Sequence, residues 1–599
     1  MMDDPIDPRV TAALDWCEHA GGDRLTLAIP FELPTTAVQC LLERPLVTSL
    51  VVGVASDDPS LPSERIGVFL PEVFSWRLPT QIAPWVVYLG GRERITARMI
   101  RALLLQGVRE LVFWDLDRWM SQSMPGIAAA RVQAKIASVA EVMVSTLRAR
   151  VPGAAAWFAG LTERRIERLL DPHGRGPSSL LSPTPNRVLI ACPTLVAGGA
   201  ERQIVNTVLG LQRQGGLDVR VLVSNLHAPP GNDFFLDILT AEGVDVQEVE
   251  GPLSTGASWQ RYQSDPETRV PRDIRLLLKN LPSETADEVA NLYVACRALR
   301  PAVVHAWLDH SNVCAGLAAL MAGVPRVVLS GRNVSPIHFL YILKPIMRPA
   351  YRAMATRAEI RLVNNSHGGA ADYAAWLGLD VGQFRIVYNG LQTAGLVRAT
   401  PARIAAFRAQ HGIPADAQLV GGMFRLSGEK RPGLWLETLM RLTAERPHLH
   451  GLLFGAGPLR GELEAKLARS GLAGRIHLAE PTKDSALALS AIDVLLLTSR
   501  WEGTPNVVIE SQALSTPVVV CGGGGARESL APGETGLFVE QPHAEALASA
   551  VRSLFDDPGR RSRYAAAGPA FVTERFGLER MLSQTLELYG FRPDPGPRA

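Results

Sequence analysis

The stretch that decides the fold runs from Asp493 to Val520 and reads DVLLLTSRWEGTPNVVIESQALSTPVVV. The apolar run at 494–497 is short and has polar neighbours, which predicts an interior strand of a parallel sheet. Thr504 is expected to cap a helix that runs from about Pro505 to Leu514, because proline suits the first helical turn. A second strand is predicted at 517–520, so the stretch is a strand–helix–strand unit of an α/β domain.

Two glutamates flank the turn in this unit, with Glu502 in the loop and Glu510 one to two turns inside the helix. In open α/β sheets, ligands bind beyond the carboxyl ends of the strands, where this helix begins. The N–H groups of Asn506 and Val507, together with the helix dipole, predict an anion site there. An anion site between two carboxylates suits a nucleotide-sugar, although an ordinary strand–turn–helix with two solvated glutamates is the alternative.

Length and charge limit the classes of protein that this chain can represent. Its 599 residues exceed one core, so about two to four domains are expected. The net charge is +2 and no long basic run occurs, which argues against nucleic acid as a partner. No apolar stretch reaches the roughly 18 residues that a membrane span needs, and the acidic start at 1–5 is unlike a signal peptide.

The cysteines predict neither a disulfide framework nor a metal site. The six are scattered without CxxC spacing, which fits a reducing, cytoplasmic environment. They stand at positions 17, 40, 192, 296, 314 and 521.

A linker rich in Pro, Gly and Ser at 171–186 divides an N-terminal α/β extension, residues 1–170, from the remainder. In the extension, strands are predicted at 85–91 and 110–114 with a helix at about 93–107. After the linker, two series of strands alternate with helical stretches, and each series predicts a doubly wound, Rossmann-like domain. The predicted domains are 187–395 and 396–575, followed by a C-terminal helix and tail at 576–599, with an irregular insertion at about 251–285. The predicted strands of the two series lie at 188–191, 219–223, 302–305, 326–329 and 385–387, and then at 419–422, 451–454, 476–478, 494–497 and 517–520.

Glycine and basic residues follow several of these strands. Gly198 and Gly199 precede a helix and allow a close approach of the backbone to a ligand. Arg425 and Lys430 follow the first strand of the second series, where they could neutralise a diphosphate leaving group. Gly455 ends another strand and is expected to let the chain pass near a nucleotide. Alone, each of these patterns is equally compatible with an ordinary turn.

Taken together, these residues resemble the family 4 glycosyltransferases over roughly residues 186–580. Members have the GT-B fold, in which two Rossmann-like domains face a cleft. The resemblance is carried by a set of motifs: Gly198-Gly199-Ala200-Glu201-Arg202, Val387-Tyr388-Asn389-Gly390, Arg425 with Lys430, Gly455-Ala456-Gly457-Pro458, Glu502-x7-Glu510 and Glu534-Thr535-Gly536-Leu537-Phe538-Val539.

The resemblance implies a role for each site residue. Glu502 would contact the donor sugar, Glu510 the ribose, and Arg425 and Lys430 the diphosphate of a UDP- or GDP-sugar. The Gly198–Gly199 loop would approach the donor from the opposite domain. Such enzymes retain the anomeric configuration by front-face substitution, need no metal and hold no tightly bound cofactor.

Two departures from the family pattern concern the acceptor side. Many relatives have His-x-His where this chain has His305-Ala306-Trp307, so His310 becomes the candidate for the acceptor-side histidine, with a structural surface histidine as the alternative. Arg332 follows the next strand, where relatives often have His-Gly, and could bind an anionic acceptor or a donor phosphate.

Residues 342–357 place Lys344, Arg348 and Arg352 at intervals of four beside several apolar residues. This pattern is typical of a basic amphipathic helix that lies on an anionic membrane surface. The alternative is a helix that packs on the domain core and exposes a solvated basic face.

The sequence therefore predicts a retaining, metal-independent glycosyltransferase that moves a sugar to a glycan or lipid-linked acceptor in polysaccharide or glycolipid synthesis. It would work in the cytoplasm or on the cytoplasmic face of a membrane. A nucleotide-sugar epimerase or a GT-B synthase that uses a sugar phosphate is one alternative. A non-catalytic sugar-nucleotide-binding or scaffold protein is another. The donor base, the acceptor, the role of 1–170 and the oligomeric state stay open.

Overall fold

The computed structural model describes six strands between residues 25 and 114, then residues 163–170 and 182–591 with short gaps. The gaps are 165, 228–230, 250–264, 267–268, 279–280, 282 and 340. The predicted helix at 93–107, linker residues 171–181, Cys17, Cys40 and the tail after 591 lie outside the described residues. The chain separates into two compact units, 1–160 and 161–599.

The first unit contains a six-stranded sheet in the order β4-β3-β2-β1-β5-β6. Neighbouring strands are parallel, except that β4 runs antiparallel to β3. The two strands predicted in this region are both present, as β5 and β6. The strands are β1 Leu25–Ile29, β2 Val47–Val52, β3 Ile66–Leu70, β4 Ser75–Arg77, β5 Trp85–Leu89 and β6 Glu110–Trp114.

The second unit begins with a seven-stranded parallel sheet in the order β13-β12-β11-β10-β7-β8-β9. The order reverses between β7 and β10, which is the switch point of a doubly wound sheet. Its strands are β7 Thr184–Cys192, β8 Asp218–Val223, β9 Asp245–Glu248, β10 Pro301–Trp307, β11 Arg326–Gly331, β12 Ile360–Asn364 and β13 Phe384–Ile386. Its helices are α1 Gly199–Gln214, α2 Leu236–Ala241, α3 Arg272–Leu278, α4 Ser283–Leu299, α5 Asp309–Ala322, α6 Met347–Ala355 and α7 His367–Leu377.

Strand β7 illustrates why this sheet is covered on both faces. Val188 and Ile190 belong to one buried apolar cluster, and Leu189 and Ala191 belong to another. Successive side chains of a strand point to opposite faces, so an unbroken apolar run requires helices on both sides.

A second parallel sheet follows in the order β16-β15-β14-β17-β19-β21, which reverses between β14 and β17. The predicted interior strand is β17, whose four residues are all buried between β14 and β19. The strands are β14 Gln418–Met423, β15 Leu449–Phe454, β16 Ile476–Ala479, β17 Val494–Leu497, β18 Trp501–Glu502, β19 Val518–Val520, β20 Gly523–Gly524 and β21 Gly536–Phe538, with β18 and β20 forming a separate pair. The helices are α8 Pro401–Gln410, α9 Pro432–Glu445, α10 Arg460–Ser470, α11 Ser485–Ala491, α12 Asn506–Ala513, α13 Ala544–Asp556, α14 Pro558–Phe576 and α15 Leu578–Tyr589.

The last helix, α15, returns to the seven-stranded sheet. Leu582 packs so closely on Gly210 of α1 that a Cβ there would lie 2.5 Å from the leucine Cδ1 atom. The Tyr589 hydroxyl lies 2.7 Å from Nδ1 of His305 in β10. The chain thus crosses between the two sheets twice, and the crossings meet where Leu391 N–H donates to the Phe576 carbonyl over 2.7 Å.

Several predictions of local structure were wrong. The linker was expected to stay irregular to residue 186, but Thr184 already belongs to β7 because its N–H donates to the Arg300 carbonyl over 2.7 Å. Part of the predicted irregular insertion is helical, as α3. Strands β9, β12 and β21 were not predicted. They are short, and β9, at the edge of its sheet, has a single apolar residue in the sequence Asp-Val-Gln-Glu.

The segment 342–357 follows the alternative interpretation. Its helical part is α6, and the apolar residues Met347, Tyr351 and Met354 are buried in the domain core. Arg348 donates to the Trp376 carbonyl over 2.7 Å, and Arg352 to the Leu377 carbonyl over 2.5 Å. None of the described helices has the length and apolar character that a bilayer crossing needs.

Candidate functional site

The topology assembles the candidate site at two switch points. Arg425 and Lys430 follow β14, and Glu502 follows β17, the two strands between which the second sheet reverses. The Gly198–Gly199 turn follows β7, and His310 follows β10, the corresponding pair in the first sheet. The carboxyl ends of such strand pairs form the ligand crevice of a doubly wound sheet.

Glu502 is held in the short strand β18, not in the free loop that was predicted, and is only 6% exposed. Its Oε1 atom accepts a hydrogen bond from Lys430 Nζ over 2.5 Å and another from Ser499 Oγ over 2.6 Å. The structure therefore brings together the predicted sugar-binding carboxylate and one predicted diphosphate-binding cation.

Helix α12 begins one residue later than predicted, at Asn506, with Pro505 at the N-cap position. Thr504 is not the cap, because its hydroxyl instead donates to the Asn365 carbonyl of the facing domain. The first intrahelical donor is Val508, so the N–H groups of Asn506 and Val507 lie in the first turn, outside the helical hydrogen-bond ladder. Their position fits the predicted anion site.

The side chain of Asn506 ties α12 to the opposite wall. Its Nδ2 donates to the Gly199 carbonyl over 2.9 Å, and its Oδ1 accepts from Asn389 Nδ2 over 2.7 Å. Asn389 Nδ2 also donates to the Thr504 carbonyl over 2.8 Å. An added Cβ at Gly199 would lie 3.1 Å from the Asn506 amide nitrogen, so the asparagine side chain would have to shift to admit it. At Gly198 a Cβ would collide with the carboxylate of Glu201.

Glu510 forms an ion pair with Arg202 of α1, which reaches across the cleft. Burial raises the pKa of Glu510, although the positive charge of Arg202 partly offsets that effect. The carboxylate that was predicted to bind ribose is thus neutralised by a residue of the facing domain. Arg202 belongs to one of the motifs that carry the family resemblance, but no role was predicted for it.

Arg425 is the most accessible of the predicted residues with ionisable side chains, with 64% of its side chain exposed and Glu429 3.7 Å away. Its charge also acts on Glu201 across the cleft, where burial raises the pKa of the glutamate and Arg425 opposes the shift. Gly455 lies beneath this loop, because a Cβ at that position would collide with the Phe424 carbonyl. Gly455 therefore lets the chain pass close to the backbone that leads into Arg425.

His310 lies apart from these residues. Its Nε2 atom is 2.6 Å from Glu288 Oε2, and its Nδ1 atom is 3.5 Å from Lys344 Nζ. Within the described residues, the hydrogen-bonding partners of His310 all belong to the domain of the first sheet. Glu288, His310 and Cys314 each bring a possible metal-ligand atom within 4.8 Å of the others. The adjacent ammonium of Lys344 opposes a cation there.

Two further contacts between the domains were missed by the sequence analysis. The ring of His338 stacks on Trp501, the neighbour of Glu502, with centroids 4.1 Å apart, and its Nε2 is 2.7 Å from Asp372. Glu528 accepts hydrogen bonds from the N–H of Gly368 over 2.7 Å and from the Tyr388 hydroxyl over 2.8 Å. Tyr388 stands in a motif that the sequence analysis quoted, but no local pattern identifies its partner.

Both halves of this architecture match family models. Residues 197–394 match the family described as Glycosyltransferase Family 4, and residues 404–571 match Glycosyl transferases group 1. The chain is 29% identical over 435 residues to the Vi polysaccharide biosynthesis protein VipC/TviE of Salmonella typhi, a match that covers 70% of this chain and 74% of that protein.

A second relative is the lipopolysaccharide core biosynthesis glycosyltransferase LpsE of Rhizobium meliloti, 32% identical over 190 residues, or 32% of this chain and 55% of LpsE. Among solved structures, Anabaena HepE in complex with UDP and glucose aligns with a TM-score of 0.55 and 20% identity, covering 67% of this chain and 99% of HepE. At that identity the likeness establishes the shared two-domain fold.

Proposed function

The chain belongs to the family 4 glycosyltransferases and has their GT-B fold, and from this premise we propose that it builds a polysaccharide or glycolipid from a nucleotide-sugar. The observation that carries the proposal is the pairing of Glu502 with Lys430 beside the N-terminus of α12. A carboxylate for sugar hydroxyls, an ammonium for phosphate and a helix N-terminus meet at this point of the cleft.

The donor would occupy the crevice between the two walls. Its diphosphate would lie at the first turn of α12, where Arg425 and Lys430 supply positive charge. Glu502, released from Lys430, would accept hydrogen bonds from the sugar hydroxyls. Glu510 would exchange Arg202 for the ribose, because both are hydrogen-bond donors to the same buried carboxylate.

Transfer would occur with retention and without a metal ion. Lys430 and Arg425 place two cationic groups near the leaving phosphate, which stabilises developing negative charge in the way that a metal does elsewhere. The phosphate oxygen would then assist deprotonation of the acceptor hydroxyl on the same face of the sugar. Product analysis by NMR would report the anomeric configuration, and activity after EDTA treatment would report metal dependence.

The acceptor would enter from the side of the first sheet, where the loop after β11 exposes Ile337, Tyr341 and Ile342. Tyr341 is 65% exposed, and the charges of Glu429 and Arg425 act on it from the other domain. An apolar rim beside the donor site suits a lipid-linked acceptor at an anionic membrane surface.

Liposome co-sedimentation tests the membrane part of the proposal. The protein should pellet with vesicles that contain anionic lipid, and Tyr341→Ser should reduce that binding several-fold. Val397→Ser is the matched control, because Val397 is 75% exposed in another part of the molecule. Equal and negligible binding of the unaltered protein to neutral and anionic vesicles would contradict the proposed membrane association.

A thermal-shift panel of nucleotides and nucleotide-sugars tests the donor assignment, since a ligand of the native state raises its stability. UDP- or GDP-sugars should raise the melting temperature, and Glu502→Gln should lower that response. Product analysis then separates transfer from the alternatives. An isomerised donor would indicate an epimerase, and binding without transfer or donor hydrolysis would indicate a non-catalytic protein.

A further inference from the structure

A small cavity lies in the domain of the first sheet, and a single residue, Asn389, connects its Arg332 to Asn506 at the start of α12. Its lining residues come from β10, β11, β12, α1 and α15 and from the segments that follow β11 and β13. Its polar lining comes from Thr207, His305, Trp307, Ser330, Arg332 and Thr585.

Arg332 brings a positive charge to this cavity. Only 8% of the residue is exposed, and no carboxylate among the described residues forms an ion pair with it. Its guanidinium carbon lies 4.2 Å from the Trp307 ring centre, and its Nη2 donates to Asn389 Oδ1 over 2.6 Å. Burial lowers the pKa of Arg332 to about 9, so the side chain is still protonated at neutral pH. A buried cation without a counter-charge is costly.

The cavity is also rich in unused hydrogen-bond donors. Arg332 Nε, Trp307 Nε1 and His305 Nε2 are buried and have no partner among the described residues. His305 Nδ1 is 2.7 Å from the Tyr589 hydroxyl, and a hydroxyl that donates to Nδ1 leaves the proton on Nε2. Burial, reinforced by the charge of Arg332, lowers the pKa of His305 to about 3, so the ring is neutral. Arg332 Nε and Trp307 Nε1 are donors in either case, and His305 Nε2 is a third donor in the tautomer whose Nδ1 accepts from the Tyr589 hydroxyl.

Among the hydroxyl groups of the lining, Ser330 Oγ accepts a long hydrogen bond of 3.4 Å from Arg332 Nη1, and none accepts from the three nitrogens named above. Thr207 and Thr585 donate to the carbonyls of Gln203 and Met581 over 2.7 and 2.8 Å. A water molecule could accept from one or two of the nitrogens, but it would leave the charge of Arg332 uncompensated. A species that accepts hydrogen bonds and also carries negative charge matches both requirements.

We propose that this cavity binds a small monovalent inorganic anion of halide size, held by Arg332, Trp307 and His305. The anion would compensate the arginine and accept from the indole and imidazole N–H groups. Trp307 and Arg332 both stand at positions where this chain departs from the family pattern.

The site has a consequence for the cleft, and this consequence rests on the proposed function. Arg332 holds Asn389, and Asn389 in turn holds the Thr504 carbonyl and Asn506 at the start of α12. An anion that fixes Arg332 would therefore orient the residues that receive the donor diphosphate. Donor affinity should then rise with halide concentration, which provides a second measurement of anion binding at this cavity.

Thermal unfolding in chloride, bromide and gluconate at equal ionic strength tests the proposal without any assay of transfer. The unaltered protein should melt at a higher temperature in either halide than in gluconate, with a saturable dependence on concentration. Arg332→Met should lose that dependence. Arg527→Met should keep it, because Arg527 is 56% exposed and pairs with Glu540 on the surface.

Trp307→Phe provides a second variant if Arg332→Met does not fold, since phenylalanine keeps an aromatic ring in this buried position and removes the indole N–H. It should bind halide about fivefold more weakly, as expected for the loss of one hydrogen bond. Crystals grown in bromide should give an anomalous peak in the cavity. Identical melting in halide and gluconate, or a water molecule in the cavity at high bromide concentration, would overturn the proposal. Halide binding without an effect on the donor would overturn only the link to the cleft.

Discussion

The two walls of the cleft treat buried charge in opposite ways. On the donor wall each buried carboxylate has a cationic partner, Glu502 with Lys430 and Glu510 with Arg202. On the facing wall Arg332 is equally buried but has only the Trp307 ring and neutral polar groups around it. The donor wall is thus balanced before a ligand arrives, whereas the facing wall carries an uncompensated positive charge.

This difference teaches how each wall can respond to a ligand. A nucleotide-sugar must replace existing ion pairs on the donor wall, so its binding exchanges one set of charge-assisted hydrogen bonds for another. The facing wall gains compensation from any anion that reaches Arg332. Charge-removing substitutions on the two walls should therefore have different consequences.

The largest expected effect is that of Glu502→Gln on the balanced wall. It removes the charge that holds Lys430 and that would bind the donor sugar, so transfer should fall by about 10²–10³-fold in kcat. Circular dichroism should show an intact fold. Glu540→Gln is the control, because that glutamate is 69% exposed. Near-normal turnover of Glu502→Gln would contradict the donor assignment.

Gly503→Ala tests whether the two walls must close on each other. A Cβ at Gly503 would collide with the Arg332 carbonyl and the Asn365 side chain of the facing domain. Overpacking costs about 1–3 kcal/mol, so donor affinity should weaken roughly 5- to 150-fold, as measured by calorimetry.

Gly461→Ala is the matched control for that variant, since a Cβ there meets nothing within 4 Å and the residue lies in α10. Donor affinity should be unchanged. If Gly503→Ala also binds the donor normally, closure through this contact is not part of donor recognition.

Acid titration tests the neutral state of His305 on the facing wall. The folded pKa is about 3 and lies below the ordinary value of 6.5. The stability that this lowered pKa contributes is fully present above the pKa of the unfolded state. It is lost as the pH falls toward the pKa of the folded state. Between pH 7 and pH 5 the unfolding free energy should drop by about 2 kcal/mol from this group alone.

Denaturant unfolding of His305→Gln isolates this contribution, because other buried histidines also titrate. Between pH 7 and pH 5, the variant should lose about 2 kcal/mol less unfolding free energy than the unaltered protein. His448→Gln, at an exposed position, should follow the unaltered protein. Parallel curves for the unaltered protein and His305→Gln would contradict a neutral buried ring.

The smallest effect is expected for His338→Ala, which removes the aromatic contact between the walls. A stacked pair contributes about 1 kcal/mol, so donor affinity should fall by roughly fivefold. The chain has 11 tryptophans, so the emission to compare is the part that Trp501→Phe removes, and it should shift to longer wavelength in His338→Ala as the indole becomes more exposed. An unchanged spectrum would indicate that the stack does not persist in solution.

The sequence predicted those parts of the site that depend on local patterns. Strand β17, the turn after it and the cations after β14 are each encoded within about ten residues, so periodicity and glycine placement reveal them. The doubly wound topology then places Lys430 and Glu502 at the same edge of the sheet. The resemblance to a known family added the roles of these residues.

What local patterns could not predict was pairing between distant segments. Arg202 and Glu510 are separated by 308 positions, and Glu528 is 160 positions from Gly368. The lack of a carboxylate beside Arg332 is likewise a property of the packed domain, not of its neighbours in sequence. Thr504 fits the pattern of a helix cap, but its hydroxyl donates across the cleft, so tertiary contact overrides the local preference.

The return of α15 to the first sheet has a consequence for synthesis of the chain. Leu578, Met581, Leu582, Leu586 and Tyr589 complete a buried cluster whose other members begin at residue 188. The first Rossmann-like domain therefore leaves the ribosome with one face of its core uncovered, and the whole second domain must be translated before that face closes. During this interval the apolar surface needs a chaperone or the partly folded second domain to shield it, which makes the order of translation part of how this molecule folds.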